Sequence, residues 1–361
     1  MSTNQLHLRE RMLPAPRGGG FRMKDYWVWC GSAIKGEDNR YHLFASRWPK
    51  TLPMHPGWMF QSEIVRASAP DPCGPYEFEE VVLPARGPAY WDGCSTHNPI
   101  ITKWEDTYVL YYMGTTYPFE APRPGEPVSS DDIRVQTARS HKRIGMAVSK
   151  SIFGPWERKD APILSTRPAC FDNYLVSNPA PCYNPDGSVL LLYKARGYKK
   201  PPYTGQLHTD MVFGTAKSAH FSQPFHSVSH VPLFAGQNVI LEDPFIWRTA
   251  EGYEMIAKDM TGNVCGERFG GIHASSLNGI DWSLHMGELA YSRNILWDDG
   301  ITEQMGSLER PFLLFEEGVA THAFFATSDG CNNFMDATET WNMVIPLKDP
   351  PKIVIRKERT L

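Results

Sequence analysis

Residues 91–114 read WDGCSTHNPIITKWEDTYVLYYMG, and the fold turns on how this stretch is parsed. An extended run opens on His97-Asn98-Pro99, an acidic turn follows at Glu105-Asp106, and an aromatic-rich run, Tyr108 to Met113, returns beside the first. Two short apolar runs separated by a tight polar turn are a β-hairpin. The layout recurs four more times. Its opening tripeptides are Cys30-Gly31-Ser32, His97-Asn98-Pro99, Ser177-Asn178-Pro179, Glu242-Asp243-Pro244 and Glu309-Arg310-Pro311. Their third residues, 32, 99, 179, 244 and 311, are separated by 67, 80, 65 and 67 positions. Four units close on alanine, a turn and an aromatic: Ala67–Tyr76, Ala147–Trp156, Ala216–Phe225 and Ala274–Trp282.

A unit of this length, with three or four strands, can bury its faces only against its neighbours, which is the condition a β-propeller blade meets. Five units predict an all-β, five-bladed β-propeller as a single domain over 1–361, with blades at about 22–89, 90–168, 169–235, 236–302 and 303–350 plus 5–18. Arg9–Gly18 resembles Glu79–Gly87, the outer strand of the first unit. The N-terminal strand is therefore expected to complete the last blade and close the ring, removing open edges. The insertion Pro118–His141 reads as a surface or rim loop that could act as a lid, and the basic tail Pro350–Leu361 as a solvated terminus.

Composition narrows the function. With 36 Lys plus Arg against 40 Asp plus Glu, the chain lacks the broad basic footprint that nucleic acid or an anionic membrane requires. No apolar run approaches the roughly 20 residues that span a bilayer. The 30 Pro, 29 Gly, 11 Trp, 15 Tyr and 18 Phe favour turns and strands over helices. Seven cysteines without a CxxC pair, and a polar start without a leader-like apolar segment, point to reduced thiols and a cytoplasmic protein. No phosphate loop, nucleotide fingerprint, serine-hydrolase elbow or zinc-protease motif is present. No cofactor is required. A divalent cation held by His97 and axial carboxylates is allowed, although no spacing demands one. A small carbohydrate is the expected partner, and a homodimer is compatible with the sequence.

Repetition also supplies a test for chemistry, because a residue shared by several blades is architectural until shown otherwise. Asp25, Asp92 and Asp172 each stand seven residues before the end of a tripeptide, so any one of them is a turn or cap by that rule. Yet they precede the innermost strands, where carboxylates would converge into a polar site. The tripeptides vary more. Position one reads Cys30, His97, Ser177, Glu242 and Glu309, and position two reads Gly31, Asn98, Asn178, Asp243 and Arg310. The following proline predicts extended geometry at position two, a fixed platform for varied charge. Second strands add Arg47, Lys194, Arg196 and Lys258, cations suited to sugar hydroxyls or a carboxylate, while Trp29 can stack on a sugar or simply pack. The candidate binding residues are therefore Asp25, Trp29, Arg47, His97, Asp172, Arg196, Glu242, Lys258 and Arg310.

The five-unit layout, residues 91–114, LEDPFIWRTAEGYEMIAKDMTG at 241–262 and RIGMAVSKSIFGPW at 143–156 resemble the five-bladed propeller glycoside hydrolases of families 43 and 117, the latter including 3,6-anhydro-galactosidases. The likeness runs over nearly the whole chain as a blade pattern. Family 43 carries an Asp-Pro base in its first blade. Here that tripeptide is Cys30-Gly31-Ser32 and Asp-Pro occurs only at Asp243-Pro244, which moves the family 117-like reading ahead. The resemblance implies hydrolysis of a terminal glycosidic bond in a small oligosaccharide by two carboxyl groups, most often with inversion. On that basis Asp92 is expected as base, Glu309 as acid and Asp243 as the group that orients substrate and raises the acid's pKa, with Asp25 and Glu242 as substitutes. Two rivals remain: a lyase using His97 as base with Arg196 or Arg310 neutralising a uronate, and a non-catalytic sugar-binding propeller.

Overall fold

The computed structural model describes residues 7–201 and 206–349. Four successive sheets have four antiparallel strands each: β1 (Tyr26–Lys35), β2 (Tyr41–Pro49), β3 (Glu63–Ala69) and β4 (Glu77–Leu83); β5 (Ser95–Trp104), β6 (Thr107–Thr115), β7 (Arg143–Ser149) and β8 (Glu157–Arg158); β9 (Leu175–Tyr183), β10 (Val189–Arg196), β11 (Val212–Ser218) and β12 (His226–Ser227); β13 (Leu241–Arg248), β14 (Tyr253–Asp259), β15 (Gly271–Ser276) and β16 (Ser283–Leu284). A small hairpin, β17 (Asn294–Leu296) and β18 (Thr302–Gln304), precedes a three-stranded fifth sheet of β19 (Ser307–Glu316), β20 (Val319–Ser328) and β21 (Thr340–Pro346). The first strand of each sheet packs on the first strand of the next, and β19 packs back on β1. The chain is a five-bladed β-propeller. Its inner and second strands are largely buried on both faces because both are covered; β6, for example, is buried from Tyr108 to Thr115.

The N-terminal segment closes the ring less regularly than the sequence suggests. A single turn, α1 (Leu8–Arg11), replaces part of the expected strand. Beyond it, Met12 bridges Leu347 and Phe21 bridges Asn342, both antiparallel along the free side of β21. Between the bridges Pro14 and Pro16 have no N–H to donate, so no continuous ladder forms. Gly20 then ties this edge to the first blade, donating to the Cys73 carbonyl and accepting from the Tyr76 amide. The rest of the expected strand, at 5–6, and the tail 350–361 lie outside the described residues.

A shared defect in the inner strands shapes the axis. Each ladder slips at an equivalent place, between Trp29 and Ser32, His97 and Ile100, Ser177 and Ala180, Glu242 and Phe245, and Glu309 and Phe312, and the last slips again between Leu314 and Phe315. The slipped residues Cys30, Asn98, Asn178, Asp243 and Arg310 have φ of 57°, 57°, 51°, 58° and 52°. Position two is thus left-handed rather than extended: the bulge overrides the proline rule. The register of the first blade also moves by one residue. Trp29-Cys30-Gly31, not Cys30-Gly31-Ser32, matches the other tripeptides. Gly31 stands where the others have proline because its amide donates to the Asn342 side chain, which a Cβ there would meet at 2.6 Å.

The left-handed residues join into a collar about the axis. The Cys30 thiol donates to Asn98 Oδ1 (2.7 Å), Asn98 Nδ2 to Asn178 Oδ1 (2.7 Å) and Asn178 Nδ2 to Asp243 Oδ1 (2.5 Å), while Arg310 Nη1 approaches the same carboxylate oxygen at 3.4 Å.

The aspartates before the inner strands have a different use. Asp92 is fully buried, accepts from Arg86 (2.7 Å) and from the Tyr112 hydroxyl (2.7 Å), and pairs with Arg158 at 3.6 Å. Asp172 repeats the arrangement one blade on, with Arg167 (2.9 Å) and Tyr193 (2.9 Å). Both pin the turn into their blade to its second strand. Removing Asp92 would leave the part-buried Arg158 without its counter-charge and Arg86 with only the exposed Asp160, so Asp92→Ala is expected to cost about 3 kcal/mol in urea unfolding. A catalytic Asp92 would instead show unchanged stability with turnover abolished.

Candidate functional site

In the corrected register, the residues one before the collar are Trp29, His97, Ser177, Glu242 and Glu309. Their partners on the second strands are Ser46, Met113, Lys194, Lys258 and Ala326. This row carries the site. Lys258 of the fourth blade reaches across to Glu309 of the fifth, and Lys194 of the third to Glu242 of the fourth at 2.6 Å. Lys258 also lies 3.4 Å from Asn333 Oδ1 and 4.7 Å from the centre of the Phe269 ring. Arg196, two residues along from Lys194, shares its face, because side chains alternate along a strand.

The two carboxyls are pushed apart in acidity. Burial drives Glu309 up, to about 7, with Asp243 and Glu242 adding to the effect and Lys258 opposing it. Burial acts on Glu242 in the same direction, but Lys194 and Lys258 outweigh it and hold this carboxyl down at about 2. Neighbouring acids in opposite protonation states are the signature of an acid and base pair.

A roof covers this row. The insertion 118–141 is not a bare loop but carries a helix, α3 (Ile133–Ser140), N-capped by Asp132 and packed through Val135 and Ala138 with Tyr117 and Val128. Its partner is α2 (Met54–Gln61), which contributes Met59 and Phe60 to the same cluster. From α3 and the residues just after it come Arg139 and Lys142. Lys142 is buried with its ammonium 4.0 Å over the Trp58 ring. Arg139 reaches His208 Nε2 at 3.0 Å, and Arg196 donates to the Thr209 carbonyl at 2.7 Å beside His208 Nδ1. His208 is held neutral, down at about 3, first by burial and then by Arg196. His55 is likewise at about 3, through burial and the charges of Arg139 and Lys142.

The structure thus gathers Glu242, Asp243, Glu309, Lys258, Arg310 and Arg196 at one place, with Trp29 edge-on to Phe334 beside them. His97 is also here, stacked on Trp58 at 4.6 Å with Nδ1 on the Ser62 hydroxyl (2.8 Å) and Nε2 facing Cys30 Sγ at 3.8 Å. Four expected residues are elsewhere. Asp92 and Asp172 serve the buried turns described above. Asp25 is exposed and contributes only its carbonyl, to the Lys50 amide. Arg47 pairs with Glu63 (2.9 Å) and covers Tyr26, because it follows Ser46 by one residue and so faces away from the row. Sequence reasoning missed Arg139, Lys142, His55 and His208. The run Ala138-Arg139-Ser140-His141-Lys142-Arg143 was the available signal for the first two.

Charge, not volume, marks the site: a recess of about 360 Å³ lined by Asp210, Phe213, Leu233, Phe234 and Leu241 contains none of these residues. Among the described residues, the group of three side chains able to hold a metal together is His7, His273 and Glu288, which involves the third strand of blade four rather than its inner strand. No described helix is long and apolar enough to cross a membrane.

Comparison with known proteins places the fold. No protein-family model matches the chain, and no curated protein matches its sequence. Solved structures do match over almost their full length. One glycoside hydrolase has a TM-score of 0.66 at 14% identity, covering 97% of this chain and 97% of that protein. A family 117 glycoside hydrolase, Zg3597 from Zobellia galactanivorans, has a TM-score of 0.60 at 15% identity, covering 96% and 90%. A thermostable family-43 glycoside hydrolase has a TM-score of 0.59 at 12% identity, covering 94% and 95%. The expected resemblance to propellers of these two families therefore holds at the level of fold.

Because Glu309 is raised to about 7 from an ordinary value of 4.5, the folded state holds its proton where the unfolded chain has lost it. Its contribution to stability is full below about 4.5 and is lost as the pH climbs through about 7. Urea melts between these limits should show wild type losing stability relative to Glu309→Gln as pH rises. Parallel curves for the two proteins would mean that Glu309 titrates normally.

Proposed function

We propose that the chain is a glycosidase that hydrolyses a terminal glycosidic bond of a small oligosaccharide, with Glu309 as general acid and Glu242 as the ionised partner. The observation that carries this reading is that the part-buried Glu242 and the buried Glu309 flank Lys258, with Glu309 raised to about 7 and Glu242 held at about 2. Glu309 delivers its proton to the leaving oxygen as the bond to the anomeric carbon breaks. Glu242 takes a proton from the water that attacks that carbon, and the products are two sugars. Glu242 replaces Asp92 in this role, since Asp92 is bound up by Arg86, Arg158 and Tyr112. Asp243 keeps part of its expected role: it sits beneath Glu309 and adds to the rise in its pKa, while Asn178 and Arg310 hold its own carboxylate in the collar. Inversion is the outcome implied by the resemblance to families 43 and 117. Supporting the activity, several fold neighbours bear the names of glycoside hydrolases.

The lyase reading retains its cations but loses its base, because His97 is packed between indoles with Nδ1 bonded to Ser62. A cytoplasmic setting fits the seven unpaired cysteines.

Aryl glycosides and oligosaccharides, with the product anomer read by NMR, test the activity. Glu309→Gln and Glu242→Gln should each lower kcat by about 10²–10⁴, and the Glu309 variant should lose least on substrates whose leaving group needs no proton. Wild-type kcat/KM should fall above about pH 7 as Glu309 deprotonates. Lys258→Met, which removes the cation opposing that rise, should move this limb to higher pH. Near-normal turnover in both carboxyl variants would overturn the assignment.

A further inference from the structure

The roof over the carboxyl pair brings more positive charge than the pair can use. Lys194 is paired with the ionised Glu242, and Lys258 hydrogen-bonds to Glu309. Arg139, Lys142 and Arg196 have no carboxylate partner among the described residues. Glu242, already paired with Lys194, acts on Arg196 from a distance, as do Asp210 on Arg196 and Asp131 on Arg139, and Asp210 is exposed.

Lys142 is the most telling of the three. It is 4% exposed, and among the described residues its ammonium has no hydrogen-bond acceptor, only the face of Trp58. Its charge stands within electrostatic range of Lys194, Arg139, Arg196 and Glu242, which places it over the carboxyl row. Burying a cation without a counter-charge is expensive, and here two buried cations and the part-buried Arg196 add the cost of their mutual repulsion. The histidine between the two arginines cannot relieve this, since a neutral ring accepts one hydrogen bond but supplies no negative charge. An incoming oxyanion would relieve it. Two guanidinium groups and an ammonium on one side, with the carboxyl pair on the other, suit a sugar that carries an anionic group.

We propose that Arg139, Lys142 and Arg196 form an oxyanion-binding subsite, so that the sugar bound beside Glu242 and Glu309 carries a negative group, a uronate carboxylate or a sulfate ester. This rests on the glycosidase reading for the position of the reacting bond, but binding of the anion does not require turnover. Trp58 links the roof to the site. Its stacking on His97 and its contact with Lys142 make indole fluorescence a direct reporter of occupancy.

The test is calorimetric and fluorescence titration of the full chain with glucuronate, glucose 6-sulfate and glucose. At least one anion should bind roughly tenfold or more tighter than glucose, as charge-assisted hydrogen bonds imply, and added salt should weaken the preference. Glucuronate alone in that position names the carboxylate, and glucose 6-sulfate alone names the sulfate ester. Lys142→Met and Arg139→Gln should each erase most of the preference, and Lys142→Met should melt higher than wild type in the absence of ligand. Equal affinity for charged and neutral sugars, or no binding of either anion, overturns the subsite whether or not the variants fold. Glycosidase turnover confined to neutral substrates would overturn it while leaving the proposed activity intact. Tight anion binding without hydrolysis of any glycoside would do the reverse, and an unsaturated, ultraviolet-absorbing product would convert the activity to a lyase while keeping the subsite.

Discussion

The carboxylate of Asp243 is where the hydrogen bonds around the axis end. Cys30 donates to Asn98, Asn98 to Asn178 and Asn178 to Asp243, while Arg310 approaches from the other side, so all five blades are tied through one acceptor. Left-handed backbone is inexpensive for asparagine and aspartate but costs roughly 1 kcal/mol or more for cysteine and arginine. The collar offsets that strain collectively, since the polar groups it joins would otherwise be buried without partners. By fixing the bulge in each inner strand, it also fixes the direction of the residue just before it. Glu242 and Glu309 point where they do because their neighbours are locked in this way.

The same constraint explains what the sequence could and could not disclose. Five units, their spacing and the special tripeptides are legible because turns and prolines punctuate them. The first tripeptide reads one residue late because Gly31 occupies the proline's place, and its requirement comes from Asn342, more than three hundred positions away. A left-handed residue before proline runs against local preference and is visible only through its long-range partners. The helices at 54–61 and 133–140 also escape notice. One contains Pro56 and Gly57, and the other lies in a polar insertion, so neither carries a clear apolar period.

In the site, Glu309 and Asp243 are legible as unusual charges at repeating positions, and Glu242 as a substitute. Asp92 precedes an inner strand in the chain, yet its partners are Arg86, Arg158 and Tyr112 rather than the row of Glu242 and Glu309, because proximity in sequence to an inner strand is not proximity to that row. The corrective signal is repetition itself. Asp92 with Tyr112 and Arg86, and Asp172 with Tyr193 and Arg167, form the same trio in successive blades, and a catalytic residue has no reason to be duplicated with its partners. Arg139 and Lys142 show in the sequence only as part of a basic run and have no assigned place there, because they belong to no repeat and only the packing of α3 against α2 brings them over the carboxyls.

That division has a consequence for how such a protein can change. The carboxyl pair proposed to transfer the protons is supplied by blades four and five, whose geometry the whole ring enforces. Of the roof cations, Arg139 lies in an insertion in blade two that can vary without disturbing any ladder, and Lys142 stands immediately after it. Reaction and ligand preference are therefore written in separable segments of the chain. A lineage could exchange the roof for one of different charge and inherit the machinery beneath it unchanged.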